Sequence, residues 1–186
     1  MIVFDRLQNY FYSDLINDDR FFSGFSTRAL GDGRRIDPII RFFEKNRVKY
    51  NRLVLLEQIH SVNIAKYEIE DRDNLTKIEE TDGVITLEKN AMLVVKTGDC
   101  CPLIFADKKQ SIIGISHQGW RGSLKRMAQK VVEKMTESGS IKSDITVAIG
   151  PTIGECCYNI TDDRYFEFMS EFEEYANEIF LLRGDK

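Results

Sequence analysis

Six short apolar runs, each closing in a polar turn, limit what this chain can fold into more than any other feature. Residues 53–56, 84–87, 91–95, 103–106, 112–115 and 145–149 are too short for buried helices and are read as strands. Residues 121–135 show the clearest helical period, with Leu124, Met127, Ala128, Val131, Val132 and Met135 recurring at steps of three and four. Such a helix packs one face on a sheet. A second amphipathic helix, rich in Phe and Tyr, is expected over residues 164–182, and residues 39–43 start another. Many strands with few long helices predict an α+β layered sandwich. With 186 residues, 42% of them hydrophobic, and no repeat or linker, a single domain over residues 1–186 is the expectation.

Charge and cysteine usage then exclude several function classes. A net charge of -4 offers no electrostatic footprint for a nucleic-acid backbone. No stretch approaches the roughly 18 apolar residues of a membrane span, and Asp5, Arg6 and Asp14 interrupt the first fifteen positions, so no export signal is read there. The four cysteines form two adjacent pairs, Cys100-Cys101 and Cys156-Cys157, unlike a disulfide framework or a zinc knuckle. Reduced thiols in the cytoplasm are expected, with Cys156 and Cys157 as packing residues. The pattern carries no mark of oligomeric state.

The chain has two histidines, and both stand where an apolar run gives way to a loop. His60 follows Gln58-Ile59, and His117 follows Ser116. A third run leads into Asp99-Cys100. Two imidazoles and one thiolate are ligands that zinc favours, and three protein ligands leave the fourth tetrahedral position to water or substrate. Adjacent strand residues point to opposite faces, so one cysteine of the pair faces the site. Cys100 is the choice, because Cys101 precedes Pro102 and suits packing. The same residues also allow a metal-free reading, with Cys100 as a nucleophile activated by His117 or His60. Asp99, Asp82 and Gln58 are candidate partners for an imidazole. Arg28 and Arg121 suit an anion such as phosphate, and Trp120 suits either stacking or packing.

Taken in order, Phe25-Ser26-Thr27-Arg28, Gln58-Ile59-His60, Thr81-Asp82-Gly83, Gly98-Asp99-Cys100-Cys101-Pro102, Ser116-His117-Gln118-Gly119-Trp120-Arg121-Gly122 and the segment from Gly150-Pro151 to Cys156-Cys157-Tyr158 resemble the motifs of one family. It is the family of multicopper polyphenol oxidase or laccase-domain proteins, which includes bacterial peptidoglycan-editing factors. The resemblance implies a four-layer α/β/β/α sandwich. It implies a metal site on His60, Cys100 and His117; around that site, catalytic roles are expected of Cys100, His117 and Asp99 and substrate contacts of Arg28, Gln58, Asp82 and Arg121. It implies zinc-dependent phosphorolysis of purine nucleosides (adenosine, inosine, methylthioadenosine), phosphate as co-substrate, and adenosine deamination. The loop Ala29-Leu30-Gly31-Asp32-Gly33 lacks the family's Gly-Gly pair, and the chain ends where the family's C-terminal segment is expected.

A multicopper oxidase needs a His-rich trinuclear centre beside a blue-copper site, which two histidines cannot build. Copper(II) nonetheless competes for the same trio on intrinsic affinity. The H-x-E and P-C-x-x-C signature of cytidine-type deaminases is absent. Two alternatives stand beside the phosphorylase: a metal-free cysteine hydrolase or amidase on a peptidoglycan-like substrate, and a non-catalytic metal-binding relative.

Overall fold

In a computed structural model, residues 1–69 and 74–180 are described, and the chain forms two compact units, Met1–Thr152 and Ile153–Lys186. The first unit holds, in chain order, β1 (Ile2–Asp5), β2 (Tyr10–Ser13), β3 (Phe25–Ser26), α1 (Ile36–Lys45), β4 (Arg52–Leu56), β5 (Ile64–Tyr67), β6 (Leu75–Ile78), β7 (Gly83–Thr86), β8 (Ala91–Val94), β9 (Cys101–Asp107), β10 (Ile112–Gln118), α2 (Trp120–Leu124), α3 (Met127–Glu137) and β11 (Ile145–Ile149). The second holds α4 (Asp162–Glu171) and α5 (Ala176–Ile179). The fold class is α+β, as expected.

Alternation along the strands builds the layers. In β4, Val54 and Leu56 turn to one face and meet Val84, Ile115 and Tyr67, while Leu53 turns to the other and meets Ile39 and Phe43 of α1. In β7, Val84 joins that first cluster and Ile85 joins Met127, Val131 and Met135 of α3. The order of layers is therefore α1, the parallel sheet β6-β4-β8, the mixed sheet β11-β9-β10-β7-β5, and α3. This is the four-layer sandwich. The third sheet, β1-β2-β3, packs Phe25 and Phe11 against Ala106 and Ala148.

Three expectations are corrected. The single helix over residues 121–135 is two, because Arg126 takes a left-handed conformation (φ 59°) between α2 and α3. The break lets Met127 enter the core, where its Cε lies 2.6 Å from where a Cβ on Gly83 would stand. The helix over residues 164–182 is α4 followed by a short turn and α5, and positions 181 and 182 lie outside the described residues. The run at 112–115 extends through Gln118, so His117 belongs to the strand and pairs with Pro102.

Candidate metal centre

β10 is the central strand of its sheet, and its register gathers the site. Ser116 pairs with Gly83 of β7 and Gln118 with Cys101 of β9. His117 is thereby set between Asp82, one residue before β7, and Cys100, one residue before β9. The loop between β4 and β5 brings His60 to the same end. The ligand atoms of His60, Cys100 and His117 all lie within 4.8 Å of one another, and the two imidazole rings meet edge to face at 4.7 Å. His117 is buried, Cys100 half-buried and His60 exposed, so the group opens to solvent on the His60 side.

Asp82 organises both histidines. Its side chain is fully buried. Oδ1 accepts from His117 Nδ1 at 2.7 Å and from the His60 amide at 3.1 Å. Oδ2 accepts from the amides of Ile59 and Ser61 at 3.1 and 2.7 Å and from the Ser61 hydroxyl at 2.7 Å. Three consecutive amides converging on one carboxylate form an anion-binding nest. They hold His60 at φ 61°, a left-handed conformation that costs a non-glycine residue energy. Burial pushes the Asp82 carboxyl up, but the hydrogen bonds from His117, Ser61 and Ile59 outweigh it and hold the group below its ordinary range. An ionised carboxylate only accepts, so Nδ1 of His117 is the donor in this bond and Nε2 is the ring nitrogen left to face a ligand.

The Cys100 thiol is pushed up by burial and then by the charges of Asp99 and Asp82. Its Sγ lies 3.9 Å from His60 Nε2. Gly119 closes the floor, since a Cβ there would stand 3.0 Å from the His60 ring and 3.1 Å from Cys100 Sγ. Two imidazoles and a thiol aimed at one point, with a glycine keeping that point clear, fit a transition-metal ion of zinc type. The Asp82–His117 pair is the carboxylate–histidine contact that fixes a metal-bound imidazole.

The other residues singled out from sequence fall into place around this group. Gln58 spends its amide on the Lys96 backbone, accepting from Lys96 N and donating to Lys96 O, each at 2.8 Å. It braces the His60 loop against the end of β8. Asp82 faces the histidines from within the protein, the imidazole-partner place that was one of its two readings from sequence; the other, a substrate contact, is not available to a side chain so buried. Asp99 is exposed, and its carbonyl accepts from Thr152 Oγ1 at 2.7 Å. Arg28 is exposed in a short turn whose preceding strand brings Phe25 beside Gly150 and Pro102. Arg121 is exposed in α2 with its guanidinium 4.5 Å above the Trp120 ring. Cys101 packs toward the α3 side, so the two neighbouring thiols do face opposite ways. Cys156 and Cys157 are exposed, contrary to the packing role expected of them. Ser61 and Gly119 were missed, although each is next to or near a candidate ligand in a motif already noted. A hydroxyl directly after His60 and a glycine two residues after His117 were the available signals.

Comparison with known proteins places the chain among related sequences and folds. The family model described as multi-copper polyphenol oxidoreductase laccase matches residues 38–184. A purine nucleoside phosphorylase of Rickettsia prowazekii is 32% identical over 90% of this chain and 68% of its own length. A protein named adenosine deaminase RL5, from an unknown prokaryotic organism, is 32% identical over 62% of this chain and 46% of its own. The crystal structure of YlmD from Geobacillus stearothermophilus superposes with a TM-score of 0.75 at 25% identity, covering 91% of this chain and 72% of that one. The chain spans about half the length of several further relatives. Among the described residues no helix is long and apolar enough to cross a membrane. With the matched model covering most of the chain and the His60–Cys100–His117 group assembled, the chain belongs to the multi-copper polyphenol oxidoreductase laccase family.

Proposed function

We propose that this chain is a zinc-dependent purine nucleoside phosphorylase acting on adenosine, inosine and methylthioadenosine, with adenosine deamination as a second activity, in the cytoplasm. The observation that carries the reading is the convergence of His60, Cys100 and His117 within 4.8 Å, with Asp82 holding His117 through Nδ1 at 2.7 Å. The names of the relatives, phosphorylase in one case and deaminase in another, support both activities. A zinc ion held by His60, Cys100 and His117 would supply a Lewis acid there.

The remaining roles belong to the chain's own side chains. Arg28 and Arg121 present exposed guanidiniums whose planar donors match phosphate, and they are assigned to hold the phosphate that attacks the ribose C1′. Stacking on Trp120 orients Arg121 in advance. Asp99, exposed one residue before Cys100, is assigned to proton transfer at the purine. Asp82 and Gln58 position the His60 loop.

A metal-free cysteine nucleophile suits the geometry less well. Burial and two carboxylates favour the Cys100 thiol over its thiolate. The test is release of free base from adenosine and inosine, with and without phosphate, by zinc-loaded and chelator-treated protein. Phosphate-dependent release that disappears with the metal is expected. Metal without turnover assigns a non-catalytic relative, and chelator-resistant activity lost to iodoacetamide assigns the cysteine enzyme.

A further inference from the structure

The second cysteine pair lies outside this machinery, in the turn that ends the Gly150-Pro151 motif. Cys156 and Cys157 are both exposed, and their Sγ atoms stand 3.2 Å apart. The turn is closed by the amides of Cys157 and Tyr158, which donate to the Gly154 carbonyl at 3.0 and 3.1 Å. That closure keeps the two side chains on one side of the backbone instead of alternating as in a strand.

We propose that Cys156 and Cys157 are a reversible modification site: a vicinal dithiol that low-molecular-weight disulfides oxidise to an intramolecular eight-membered ring. In the first step one thiolate attacks a sulfur of the small disulfide, breaking its S–S bond and releasing one small thiol. In the second, the neighbouring thiolate attacks the protein sulfur of that mixed disulfide and releases the second small thiol. The two protein thiols lose two electrons and two protons, and the small disulfide gains them. Exposure admits the oxidant to the first step. Proximity drives the second, because the resolving sulfur is already at van der Waals distance.

The ring is of the labile kind. Adjacent Cα atoms lie about 3.8 Å apart across a trans peptide, short of the roughly 4.4 Å at which ordinary disulfides begin. Bonds closed under such strain are reduced easily and serve as reversible rather than structural links.

Tryptic mapping of the whole chain separates this pair from the metal-site cysteines, because residues 143–164 and residues 97–108 fall in different peptides. After treatment with glutathione disulfide and then iodoacetamide, the peptide over residues 143–164 is expected two hydrogens lighter and unalkylated. Dithiothreitol should restore alkylation at both positions. Cys156→Ser and Cys157→Ser, both at exposed positions, should each stop at one glutathione adduct. Two adducts on the unmutated peptide, two alkylated thiols after oxidation, or a disulfide linking two chains on a non-reducing gel would each overturn the proposal.

Discussion

The Asp82 carboxylate accepts from His117 Nδ1 at 2.7 Å with both side chains buried, and the same carboxylate holds the backbone of His60. One residue thus sets the geometry of two candidate ligands. Asp82→Asn keeps the size but replaces an acceptor oxygen with an amide donor that faces the Ile59 and Ser61 amides. Zinc affinity is expected to fall about 10- to 100-fold, measured by competition with a chromophoric chelator. A variant with unchanged affinity would remove Asp82 from the site.

The pH dependence follows from the same contacts. The folded-state pKa of Asp82 lies below its ordinary value of 3.8. A carboxyl shifted in this direction contributes stability that is complete above the unfolded value and is lost as pH falls through the folded one. The gap in Tm between metal-free wild type and Asp82→Asn should therefore be constant near neutrality and narrow below about pH 4. Thermal melts from pH 7 down to pH 3 check it. Zinc uptake should weaken over a higher range, because Cys100 must lose a proton from a thiol pushed above its ordinary value.

Gly119 gives a steric test that leaves the donors intact. Its φ of -76° suits any residue, so Gly119→Ala adds no backbone strain. The new methyl group crowds the His60 ring and Cys100 Sγ at 3.0 and 3.1 Å. Metal affinity should drop while the circular dichroism spectrum and Tm of the metal-free protein change little.

The strands that build the site were legible because their runs are apolar on both faces, as in a sheet covered on each side. β7 and β9 are of this kind, buried along most of their length. β1, β5 and β6 escaped notice because each has exposed positions and a mixed pattern that periodicity cannot separate from a loop. The His60–Cys100–His117 group was legible because scarce, chemically specific residues stood at run ends. Asp82 was legible as one of three candidate partners for an imidazole, but an aspartate before glycine also reads as turn chemistry, and only strand register sets it, rather than Asp99 or Gln58, beside His117. The break at Arg126 was hidden for a related reason: apolar spacing continues across it, and only packing of Met127 behind Gly83 demands it.

Core packing against α3 is separable from the metal centre. Met127 is fully buried against Gly83 and the β7–β10 face. Met127→Ala should cost about 2–5 kcal/mol in a urea unfolding series, with metal stoichiometry at low temperature unchanged.

The most direct test of the account is metal content, measured by elemental analysis of the purified chain and of Cys100→Ser, His60→Ala and His117→Ala. The account predicts about one zinc per chain in the wild type and a marked loss in each variant, with the fold retained. Stoichiometric zinc that survives all three substitutions, or no bound metal in a folded wild type offered zinc, would contradict it.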